Sequence, residues 1–126
     1  MTEQKPTDAE LEILQILWKY GPATVRFVHD HLVKTKDIGY TTTLKNMQNM
    51  VQKNMLTRDE EARSHVYKPL LKQQETQSFL LDKFLDSTFG GSAGKLVMQA
   101  LGNKKTSKEE LEQIKALINK LEGGKS

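Results

Sequence analysis

Apolar residues recur three and four apart in stretch after stretch of this chain, and alternate in only two short runs. That pattern predicts a mainly α-helical protein with one small β element. Thr7-Asp8-Ala9-Glu10 has the spacing of a capping box, and Leu11, Leu14 and Trp18, with Ile13 and Leu17 beside them, carry a helical period. Gly21-Pro22 stops it, which places a first helix at 8–20. Thr24 caps a second helix at about 25–35, its inner face Val25, Val28 and Leu32. Residues 34–39 are polar and read as a loop. A third helix spans 41–53, capped by Thr41 or Thr42, with Leu44, Met47 and Val51 inward and Met50 at the edge. Asn54 closes it.

The two alternating runs come next. Met55-Leu56-Thr57-Arg58 and Ser64-His65-Val66-Tyr67 flank the polar turn 59–63 and predict a β-hairpin. Three helices followed by a hairpin are the order of a winged helix-turn-helix, here at 1–71 and closed by Pro69. Helical spacing resumes at Lys72 and defines a second domain, 72–126, of three helices. Phe79, Leu80, Leu81, Phe84 and Leu85 form a broad apolar face up to the break at Phe89-Gly90-Gly91-Ser92. Leu96, Val97, Met98, Ala100 and Leu101 make a short helix so apolar that it should be buried on most sides. A second capping box at Ser107-Lys108-Glu109-Glu110 opens a helix with Leu111, Ile114, Leu117, Ile118 and Leu121 at helical spacing. Three short helices bury only part of so much apolar surface against one another. Burial is worth roughly 25 cal/mol per Å², so a second copy is the expected cover, and these residues are assigned to a homodimer.

Charge then singles out the third helix. The chain's 126 residues carry a net +3, but residues 40–72 alone hold six Lys/Arg against three Asp/Glu. Residues 41–53 contain no acid at all. The face opposite its apolar stripe offers Thr42, Lys45, Asn46, Asn49 and Lys53, suited to a partner that is anionic and rich in acceptors. Asn and Lys reach base edges, and Thr and Lys bond phosphate, so the partner expected is double-stranded DNA. Thr41 and Thr43 are assigned to phosphate at the helix start, and Arg58, Arg63, His65 and Lys68 to the backbone along the wing. A winged-helix protein-interaction module without DNA binding is the alternative, and a ligand-sensing regulator a third reading.

The chemistry of catalysis is missing from the pattern. The chain has no Cys, which removes disulfides, thiolate metal sites and cysteine nucleophiles and suits a reducing cytoplasm. His29 and His31 stand two apart and so point to different sides of a helix, unable to share a metal. Gly90-Gly91-Ser92 lacks the lysine and spacing of a phosphate loop. No apolar leader opens the chain, and no apolar run approaches membrane-spanning length. The expectation is a cytoplasmic, non-enzymatic protein with no cofactor, no metal and no membrane insertion.

Four segments carry a family likeness. Pro-Thr-Asp-Ala-Glu-Leu-Glu-Ile-Leu-Gln-Ile-Leu-Trp at 6–18, Gly-Pro-Ala-Thr-Val-Arg at 21–26, Gly-Tyr-Thr-Thr-Thr-Leu at 39–44 and Phe-Gly-Gly-Ser at 89–92, in that order, resemble the penicillinase-repressor (BlaI/MecI-type) transcriptional regulators. The resemblance implies a winged-helix DNA-binding domain at about 7–71, a helical dimerisation domain at about 74–123, and a dimer that blocks transcription from a palindromic operator. It also implies relief of repression through a membrane-bound sensor metalloprotease, with cleavage in the C-terminal helices. The family's Asn-Phe cleavage bond has no counterpart here: the corresponding place reads Gln99-Ala100, which marks a position and not a matching bond. Copper-responsive relatives use a Cys-containing metal site, which a chain without Cys does not have.

Overall fold

A computed structural model describes residues 5–61, 63–103 and 106–123. Helix α1 (Asp8–Tyr20) starts with the complete capping box: the Thr7 hydroxyl accepts from the Glu10 N–H at 3.2 Å, and the Thr7 N–H donates to Glu10 Oε1 at 2.9 Å. It ends at Gly21, whose φ of 90° only glycine adopts without strain. Helix α2 (Val25–Leu32) is capped by Thr24, and helix α3 (Tyr40–Gln52) follows a loop. Helix α2 is shorter than its spacing suggests, because Val33–Lys36 close onto His29, His31 and Leu32 in turns rather than continuing the helix.

At the end of α3, Asn54 takes a left-handed φ of 64°. Met55 N–H reaches the Met50 carbonyl at 2.9 Å and Asn54 N–H the Val51 carbonyl at 3.1 Å, which is a Schellman turn. That turn delivers the chain straight into strand β1 (Leu56–Asp59), which pairs antiparallel with β2 (Val66–Pro69). The register sets Leu56 against Pro69 and Arg58 against Tyr67. Ala23 adds a third rung, exchanging hydrogen bonds of 3.0 and 2.8 Å with Tyr67, so the hairpin is tied to the turn between α1 and α2.

The first compact unit ends at Leu80. Its core is one cluster in which Ile13, Leu14 and Leu17 of α1 meet Val28 and Leu32 of α2, Met47 and Met50 of α3, and Met55, Leu56 and Tyr67 of the hairpin. Trp18 Nε1 donates to the Leu71 carbonyl at 2.9 Å and secures the exit of the chain from the hairpin. That unit closes within helix α4 (Gln73–Phe89), whose early residue Thr76 is buried.

The second unit, from Leu81 onward, holds the rest of α4, α5 (Ala93–Gly102) and α6 (Lys108–Gly123). Nothing in α5 or α6 is buried within the single chain. In α5 Leu96 and Leu101 are half-buried and Met98 is 70% exposed. Of the residues assigned to dimerisation, Leu81, Phe84, Val97, Leu117, Ile118 and Leu121 are exposed. Phe79, Leu80, Leu85, Leu96, Leu101, Leu111 and Ile114 are half-buried. No helix of the described residues is long and apolar enough to cross a membrane.

Glu10 links the first helix to the third. Its second oxygen accepts from Lys53 Nζ at 2.6 Å, at the end of α3. Burial pushes the Glu10 carboxyl up, but the hydrogen bonds from Lys53 and the Thr7 backbone outweigh it and hold it below its usual 4.5. A carboxyl lowered in the folded state stabilises above the unfolded value and loses that contribution as pH falls through the folded value. Stability should therefore drop on acidification below about pH 4.5. Glu10→Gln should be less stable than wild type at neutral pH and should show a shallower acid loss, as read by urea unfolding across a pH series.

Candidate nucleic-acid interface

Helix α3 presents its outer surface as a ridge. Thr41, Lys45 and Gln52 are exposed along its middle together with Gln48, and Thr42 and Asn49 are exposed beside them. Asn46 is half-buried at the flank. Among these residues there is a cation, amides and hydroxyls, and no acid. The inner side is Thr43, Met47 and Met50, all fully buried.

Thr43 is the departure that matters. Expected to bond phosphate, it is instead wholly buried, and its hydroxyl lies 2.9 Å from His29 Nδ1 on α2. A threonine hydroxyl with a partner is cheap to bury, whereas one without would cost on the order of 1–3 kcal/mol. Apolar residues alone place the helix's inner axis between Met47 and Val51; including Thr43 and Met50 turns it by roughly 40°. That roll moves Asn46 to the flank and brings Gln48 onto the ridge. Gln48 was legible only to a reading that knew Thr43 was inside.

The helix start differs too. Gly39 is the N-cap and makes no side-chain cap bond, so Thr41 and Thr42 lie within the first turn rather than at the cap. Both residues are exposed at the helix start, where the Thr42 N–H donates to the Gly39 carbonyl at 3.1 Å. Lys53, exposed just past the end of α3, is held by Glu10.

The wing supplies a mixed surface. Arg63, His65 and Lys68 are exposed. Arg58 donates from Nη2 to Glu60 Oε2 at 2.9 Å, and its guanidinium is raised above its usual value by Glu60 and then by Tyr67. Glu60 is lowered in turn by Arg58. Asp59, Glu60 and Glu61 are all exposed near the tip, and Asp59 Oδ1 accepts from the Glu61 N–H at 3.0 Å. The wing thus carries counter-charge of its own, which the tally of basic residues alone did not weigh.

The histidines on α2 diverge as their spacing implies: His29 faces Thr43, while His31 Nδ1 lies 3.0 Å from the Phe27 carbonyl, between the Tyr20 and Phe27 rings. Gln99 and Ala100 are exposed in α5, where the Gln99 carbonyl accepts from Asn103 N–H at 3.2 Å.

Comparison with known proteins places this geometry. The profile of the penicillinase repressor family matches residues 6–120. The penicillinase repressor of Bacillus licheniformis is 25% identical over 112 residues, 89% of this chain and 88% of that protein. The transcriptional regulator BlaI of Mycobacterium tuberculosis is 25% identical over 119 residues, 93% of this chain and 85% of its own length. The methicillin resistance regulatory protein MecI of Staphylococcus aureus is 19% identical over 114 residues, 90% and 93% of the two chains. Among solved structures, the monomeric form of Bacillus licheniformis BlaI in complex with the blaP half-operator superposes with a TM-score of 0.51 at 26% identity, covering 59% of this chain and 93% of that one. The DNA-binding domain of the repressor BlaI gives a TM-score of 0.50 at the same identity and coverage.

Thr43→Val should cost about 1–3 kcal/mol, because it leaves the buried ring nitrogen of His29 without its partner while hardly changing volume. Chemical denaturation measures this. Thr42→Val, on the exposed side, should leave stability within about 0.5 kcal/mol of wild type.

Proposed function

We propose that this chain, which belongs to the penicillinase repressor family, represses transcription as a homodimer that sets one α3 into the major groove at each half of a palindromic operator. The observation that carries the reading is the acid-free exposed ridge of α3, with a wing beside it. Lys45, Gln48 and Asn49 lie where base edges or flanking phosphates would be, and Thr41 and Thr42 lie at the helix start where a phosphate is favoured. Asn46 contributes from the flank, and Arg63, His65 and Lys68 follow the backbone through the wing. The half-operator bound by the monomeric relative supports one half-site per copy. Two copies then place their reading helices about one DNA turn apart, roughly 34 Å, or a multiple of it.

The unpartnered faces of α4–α6 support the dimer, since apolar side chains left wet over so short a segment favour association. Relief of repression by a membrane-bound sensor metalloprotease is the remaining part of the reading. A cut near Gln99-Ala100 in α5 would separate α6 from the rest of the dimerisation surface. The regulated gene would be of the resistance type that the names of the relatives describe, and the site of action the cytoplasm.

Asn49→Ala should cost on the order of 1–3 kcal/mol against a duplex selected from a random pool and relax its sequence preference. Lys45→Ala should weaken binding to all sequences alike where its partner is phosphate. Fluorescence anisotropy measures both; a protein-interaction module would instead show an affinity for its partner that hardly changes with salt. Ile118→Lys, which places a charge on the exposed α6 face, should shift sedimentation from dimer to monomer with the first unit still folded. A wild-type protein that sediments as a monomer at high micromolar concentration refutes the dimer.

A further inference from the structure

Arg26, on the first turn of α2, has no hydrogen bond or ion pair among the described residues. Its guanidinium carbon lies 4.4 Å from the centre of the Tyr40 ring. Tyr40 is itself fixed: the ring of buried His29 meets it edge-on at 5.5 Å and 82°, and His29 is pinned by Thr43. A chain of contacts therefore runs from buried Thr43 through His29 and Tyr40 out to an exposed cation. An aromatic face engages the flat side of a guanidinium and leaves its in-plane N–H groups available.

The stack borders a groove of about 230 Å³ between α2, the start of α3 and the wing, where Thr24, Arg26 and Tyr40 face Ser64 and His65. Its donors are a guanidinium, a serine hydroxyl and an imidazole, and no acidic side chain lines it. Orphan N–H groups of the α2 first turn add to the same field. A cleft of this make-up fits a tetrahedral anion that accepts a bidentate pair.

We propose that this groove is a clamp for one phosphodiester of duplex DNA, gripped between Arg26 and the Ser64-His65 edge of the wing, with Tyr40 as the positioning residue that holds the guanidinium flat. The clamp rests on the reading of α3 as a DNA-facing helix and deepens it. It fixes where the duplex backbone passes, independently of the bases that α3 reads.

The test is a salt titration of the full chain against a mixed-sequence duplex, followed by anisotropy. Arg26→Ala should weaken binding several-fold and lower the slope of log affinity against log salt by about one. Arg26→Lys should restore the slope but bind more weakly than wild type, because an ammonium lacks the planar fork. A slope unchanged in Arg26→Ala while Lys45→Ala lowers it overturns the clamp and leaves the α3 interface standing. Arg26→Lys that binds as tightly as wild type overturns the stacked geometry. A wild-type affinity indifferent to salt overturns clamp and interface together.

Discussion

The roll of α3 about its own axis turns Thr43 inward together with Met47 and Met50, and there the Thr43 hydroxyl meets buried His29. Everything the helix offers to a partner follows from that roll. With Thr43, Met47 and Met50 turned inward, Lys45, Gln48 and Asn49 are turned outward, and Tyr40 is left to stand over α2. A buried hydroxyl and imidazole are tolerated because they satisfy one another, and such a pair specifies one arrangement where interchangeable methionines would permit several. The contact also spans the two helices of the helix-turn-helix, so their relative placement and the outward face are decided together.

Much of this was legible in the chain. Elements whose signals are local came through closely: the capping box of α1, its glycine stop and the order of three helices and a hairpin. So did the third helix and its acid-free outer side. What escaped was of another kind. Thr43 and Lys53 look alike in a polarity pattern, as hydrophilic positions on a basic helix. Only the fold reveals that one meets His29, fourteen positions away in sequence, and the other Glu10, forty-three away. Long-range partners of this sort leave no periodic trace. Arg26 was missed for the same reason, since its significance depends on a ring that arrives from the next helix.

Charge along the wing follows a similar logic. A count of cations suggests a uniformly attractive strip, but Arg58 is neutralised locally by Glu60, and three acids crowd the tip. Exposed pairs of this type contribute little to stability. Their weight falls on the charge the wing presents, which is mixed, with Asp59, Glu60 and Glu61 beside exposed Arg63 and His65. The second unit presents the opposite imbalance: good helices with too little to pack against. The first unit closes a core within one chain; the second keeps apolar side chains such as Leu117, Ile118 and Leu121 exposed.

The Schellman turn at Asn54 has a consequence for how this architecture tolerates change. Met55 is the last residue of that turn before β1, and its carbonyl accepts from both Leu70 and Leu71, at 2.8 and 3.4 Å. Helix α3 and the base of the hairpin are thereby joined like a bracket with no slack. Insertions or deletions would be absorbed at the far end of the hairpin, whereas one extra residue at the bracket would shift the hairpin against α3. Evolutionary or engineered variation in reach is thus channelled to one end of the hairpin only.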